Sequence, residues 1–150
     1  AAVPATIDPL ATPDATLTLL AGTPSATPPP PLFALIRSGI IFRANANTAG
    51  CNYAGIAGSV VDFGGQPLND YIVWITGEAI DSRLLSGSDN TYGAGGFLIQ
   101  IDETPVLQPF AVQLLAPDGV TPLSEPYTFL TRDVCEYNVA LVRFVQVREF

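Results

Sequence analysis

No stretch of this sequence sustains the 3.6-residue apolar period of a helix; its apolar residues come in short runs cut by turn residues. That pattern points to an all-β chain. After Cys51 the runs recur at the short, regular spacing of a β-sandwich. They predict seven strands, over residues 53–61, 71–76, 83–85, 97–101, 110–115, 127–131 and 137–147. Residues 71–76, apolar on both faces, belong in the middle of a sheet, and 83–85 reads as a short edge strand. Phe97, Ile99 and Ile101 share one face of their strand, as do Phe110, Val112 and Leu114 of theirs. Residues 86–96 read as a long flexible loop, and 78–82 stay unassigned. Upstream, residues 32–42 are apolar but broken at Gly39, so they make one bent strand or two short ones.

The first 31 residues have another character. Pro4, Pro9, Pro13, Pro24 and the run from Pro28 to Pro31 are spaced by Thr and Ala, with only Asp8 and Asp14 charged. Such composition reads as an extended arm without a core of its own, ahead of a sandwich domain at 32–150. Inside it, Ala15, Thr16, Leu17, Thr18, Leu19, Leu20 and Ala21 form an alternating, strand-competent segment framed by Pro13 and Gly22.

Fourteen acidic residues stand against six basic ones, every one of them Arg, for a formal net charge of −8. That balance argues against nucleic-acid binding, which needs a basic footprint. Hydrophobic residues make up 48% of the chain and charged ones only 13%, yet no run reaches the roughly 18 apolar residues of a membrane helix. Surplus apolar surface without a span suits burial against other protein chains or a tightly packed β core. Cys51 and Cys135 make an even count and are expected to pair in an oxidising compartment; two buried free thiols are the alternative. A start at Ala1 suits a mature protein after leader removal. Together these features predict a secreted or cell-surface protein.

At 56–68 the chain reads Ile-Ala-Gly-Ser-Val-Val-Asp-Phe-Gly-Gly-Gln-Pro-Leu, followed by a Val-containing strand that ends in Gly77. This pattern resembles carboxypeptidase-regulatory-like domains, which are grouped with the collagen-adhesin B-type and prealbumin-like sandwiches. The resemblance covers about 51–147. It implies an Ig-like (prealbumin-like) antiparallel β-sandwich of about seven strands and a structural, adhesive or ancillary role. Adhesin-type relatives often carry an internal isopeptide bond that requires a Lys amine, and this chain has no Lys.

Composition also limits the chemistry. Without a single His, Ser-His-Asp and Cys-His arrangements are excluded. No Gly-x-Ser-x-Gly, phosphate-loop or zinc-site spacing occurs, and Gly93 to Gly96 precede no helix. Asp102 and Glu103 are adjacent, so a strand end points them to opposite sides, which suits a solvated terminus better than a glycosidase pair. Asp62, Asp89 and Asn90 offer loop oxygens of the kind Ca²⁺ takes, but read more simply as turn residues. Trp74 with Tyr71 would make a sugar-stacking platform if exposed, whereas its place between Val73 and Ile75 predicts core burial; Tyr92 reads as a surface contact residue. The sequence therefore predicts no enzyme, no catalytic residue, no metal site and no cofactor.

Two functions fit these features. In one, the chain is a structural subunit of an extracellular assembly or filament, and its partners are copies of itself joined by the strand at 15–21 inserting into a neighbour's sandwich. In the other it is a monomeric cell-surface binding, adhesion or accessory module on a Pro/Thr spacer. A third arrangement folds the arm back onto its own domain.

Overall fold

A computed structural model describes residues 30–150, so the arm strand expected at 15–21 lies outside the described residues. The described chain is nine strands and one 3-10 turn, with no α-helix among the described residues. The strands are β1 (Phe33–Leu35), β2 (Ile41–Arg43), β3 (Ala54–Val61), β4 (Ile72–Gly77), β5 (Asp81–Leu85), β6 (Gly96–Asp102), β7 (Pro109–Leu115), β8 (Tyr127–Leu130) and β9 (Val139–Gln146). Seven of these follow Cys51.

Two sheets form. One has the order β8-β7-β4-β5, antiparallel throughout. In the other, β9 sits between β3 and a split edge made of β1 and β2, and β6 closes the far side of β3. Alternation then builds the core between the sheets. Val73, Ile75, Phe110, Val112 and Leu114 come from the first sheet; Phe33, Ile56, Val60, Phe97, Val142 and Phe144 come from the second. Each large side chain removed from water here stabilises the fold by about 1.5–3 kcal/mol.

The apolar stretch at 32–42 resolves into two short strands. Both pair antiparallel with β9, from Phe33↔Gln146 to Leu35↔Phe144 and from Ile41↔Leu141 to Arg43↔Val139. Between them the edge bulges through a turn in which Gly39 N–H donates to Ile36 O at 2.8 Å, with Gly39 at φ 72°. A left-handed residue there is cheap only for glycine. β5 starts two residues before the expected Arg83, because Gly77 N–H closes a turn on Ile80 O at 2.7 Å and releases the chain into extended geometry at Asp81.

The antiparallel expectation is corrected at one pair: β3 and β9 run parallel, in register from Gly55↔Val139 to Val61↔Val145. The chain lays down the whole four-stranded sheet before returning beside β3, so no short hairpin imposes opposite directions. Cys51 and Cys135 do pair, with Cα atoms 5.1 Å apart and 84 residues between them in sequence. The same offset of 84 relates every pair of the β3–β9 ladder. The disulfide thus sits in line with that ladder, four residues ahead of Gly55 and Val139, and fixes where both strands begin.

Asn138 completes this corner. Its side chain is buried and accepts from Asn45 N–H at 2.8 Å while donating to Gly50 O and Tyr53 O at 3.0 and 3.1 Å. Its own carbonyl accepts from Gly55 N–H at 2.9 Å. A buried amide with all these partners satisfied ties the loop before β3 to the start of β9.

Candidate functional site

Sheet edges come first, because an unpaired strand presents a row of free main-chain donors and acceptors. Among the described residues β8 is an edge strand of the four-stranded sheet, paired only with β7. Its residues Tyr127, Thr128, Phe129 and Leu130 carry no charge. Thr131 N–H donates to Gln108 O at 2.9 Å, toward β7. By strand alternation Thr128 and Leu130 then direct their N–H and C=O groups away from β7. Tyr127 and Phe129 pack on the core, and Leu130 stays 49% exposed on the other face. By contrast, edge strand β5 carries Asp81 and Arg83, charges of the kind that blunt an edge.

Asp62, Asp89, Asn90 and Asp102 act as turn caps. Asp62 Oδ1 accepts from Gly64 and Gln66 N–H at 2.8 and 2.9 Å. Asp89 Oδ1 accepts from Thr91 N–H at 3.0 Å, and Asn90 Oδ1 from Gly96 N–H at 3.0 Å. Asp102 Oδ1 accepts from Glu103 N–H at 2.7 Å, while Glu103 itself is exposed. These are the local bonds short polar side chains make at turns. No group of three His, Cys, Asp or Glu is placed to hold a metal among the described residues.

Trp74 is the clearest correction. It lies half-buried on the outer face of β4, not in the core, because Val73 and Ile75 take the inward positions. Its indole N–H donates to Asp81 Oδ1 at 2.7 Å, and the Arg83 guanidinium sits 4.6 Å over its ring. Tyr71 instead packs against Phe33 at a centroid distance of 5.9 Å, so the structure does not bring the two aromatics together as a platform.

Tyr92 is also no free surface residue. Loop 86–96 is laced across its base by Gly87 N–H to Gly96 O at 2.7 Å and by Gly93 N–H to Asn90 O at 3.2 Å. This carries Tyr92 onto the outer face of the five-stranded sheet, into a second small cluster with Tyr53, Ala57, Leu98, Val139 and Leu141. Its hydroxyl accepts from Ala46 N–H at 2.7 Å. Burial, with the nearby Tyr92 and Asp89 as lesser causes, raises the Tyr53 phenol above its usual value.

Sequence reasoning overlooked Arg43 and Arg143, which the structure brings to one cleft on this face. They lie on β2 and β9, and only the Val139↔Arg43 register makes those strands neighbours.

No family model matches this chain, and no curated protein does. Among solved structures it is similar to the dioxygenase domain of a dioxygenase–carbohydrate-binding protein fusion from the cellulolytic bacterium Streptomyces sp. SirexAA-E. The match has 13% identity and a TM-score of 0.36, covering 87% of this chain and 96% of that one. It overturns the composition-based expectation that the chain is not an enzyme, and that expectation is withdrawn. At this TM-score the likeness assigns neither a reaction nor reacting residues to the present chain.

Proposed function

We propose that this chain is a structural subunit of an extracellular surface assembly, in which the N-terminal arm of one copy adds a strand to an open sheet edge of the next. The observation that carries the reading is β8, an uncharged edge strand whose outward main-chain groups are unpaired among the described residues. The segment from Ala15 to Ala21 is a matching donor in composition, with Leu17 and Leu19 on one side and Thr16 and Thr18 on the other. Proline-rich stretches on both sides, about ten residues or more each, reach roughly 30 Å when extended, far enough to bridge subunits. A disulfide is at home outside the cytoplasm, and no helix among the described residues is long and apolar enough to cross a membrane. The resemblance to prealbumin-like, adhesin-type sandwiches agrees with a structural role and belongs to this same reading.

The test compares the intact chain with a chain lacking residues 1–29, by light scattering and electron microscopy over a range of concentrations. The intact chain is expected to form oligomers or filaments and the shortened one to stay monomeric and folded. Leu17→Asp with Leu19→Asp, and separately Leu130→Lys at the acceptor edge, are each expected to stop assembly. An intact chain that remains monomeric at high concentration removes this reading in favour of a single binding or accessory module.

A further inference from the structure

The outer face of the five-stranded sheet carries a cleft of about 230 Å³ whose walls are of two kinds. Ile36, Ile41 and Leu141 supply apolar surface, and Arg43 and Arg143 supply two of the chain's six positive charges. The cleft opens where the edge breaks between β1 and β2, since the bulge at 36–40 leaves the stretch of β9 beside it without a full strand neighbour. Tyr92 forms a further wall, its position set by the hydrogen bond from Ala46 N–H.

Both guanidiniums are held, but not neutralised. Arg143 Nε donates to Ser59 Oγ at 3.0 Å, and Ser59 is only 2% exposed, so the inner nitrogen is anchored on a buried hydroxyl. Among the described residues its two terminal nitrogens have no hydrogen-bond partner. The Arg43 guanidinium carbon lies 6.0 Å from the Tyr92 ring centroid, at the outer limit of a cation–π contact. Among the described residues no Asp or Glu lines the cleft, although acidic residues outnumber basic ones by fourteen to six along the chain. Two like charges at one small site thus find no counter-charge among the described lining residues to offset their repulsion. An incoming anion provides it, and planar guanidinium forks suit oxyanions in particular.

We propose that this cleft binds a small organic oxyanion, its carboxylate or phosphate head on Arg43 and Arg143 and a body the size of one sugar ring against Ile41, Leu141 and Tyr92. The proposal does not depend on assembly through the arm, and it holds for a monomer or a polymer.

Calorimetric titration of the intact chain tests it, with glucuronate and glucose 6-phosphate as the two sources of the head group and glucose as the neutral control. At least one anion is expected to bind saturably, and glucose is not. The double variant Arg43→Gln/Arg143→Gln is expected to weaken binding by about tenfold or more, as loss of charge-assisted hydrogen bonds does. Arg83→Gln, on the other sheet, is expected to bind as the parent does. Ile41→Trp, at a position 45% exposed, fills the cleft without removing charge and is expected to abolish binding. Circular dichroism confirms that each variant is folded. The proposal is overturned if neither anion saturates, if glucose binds equally, if the double variant stays within about twofold of the parent, or if Arg83→Gln weakens binding as much.

Discussion

Gly58 lies in β3 opposite Val142 of its parallel neighbour. A Cβ placed there would collide with the Val142 carbonyl oxygen and meet the Phe97 ring at 2.8 Å. Backbone has no alternative rotamer to retreat into, so Gly58→Ala is expected to cost about 3 kcal/mol, measured by urea unfolding. Tyr53 gives a second residue-scale prediction, this one in pH. Its phenol is raised in the folded state, chiefly by burial, so the unfolded phenol ionises first as pH rises past about 10. The stability it contributes is complete below that pH and is lost as pH climbs toward the folded value. Tyr53→Phe should therefore stay folded to higher pH than the parent in an alkaline circular-dichroism titration. At this scale the sequence was readable wherever alternation was followed strictly. Val73 and Ile75 facing inward already put Trp74 outside; apolar residues on both faces of β4 hid that, because Arg83 shields the outer one. Arg43 and Arg143 gave no local signal, since a cleft across strands 100 residues apart has no motif.

At the scale of elements, strand positions were legible and strand partners were not. Short alternating runs set off by Gly, Pro and Asp announced β6, β7 and β9, and Gly39 announced the split edge. Nothing within β3 or β9 tells whether they run parallel, because both are apolar, central and buried on the core side. The cysteine spacing held the answer, but only once the ladder was known, since both share the offset of 84. A covalent tie in line with a ladder resists slippage, and a one-residue slip would exchange core and outer faces along the strand that slips. Replacing both cysteines by Ser is expected to cost about 4 kcal/mol in the chain-entropy account of a loop this long, read from urea midpoints. Hydrogen exchange should show the β3–β9 amides losing protection ahead of those in β4 and β7.

For the whole molecule, the described domain is a two-sheet body whose edges and outer faces differ in chemistry: β8 uncharged, β5 charged, and one outer face carrying an arginine-walled cleft. Length, acidity and turn spacing could suggest the body, but the differences among its surfaces arise only when strands distant in sequence become neighbours. The placement of β9 has a further consequence for what its loss would do. β9 occupies the middle of its sheet and begins four residues after Cys135, the partner of Cys51. A polypeptide cut short before Val139 lacks the centre of one sheet, and one cut before Cys135 also displays an unmatched thiol. Loss of that one strand therefore opens the sheet at its centre and bares the side of β3 that it had covered.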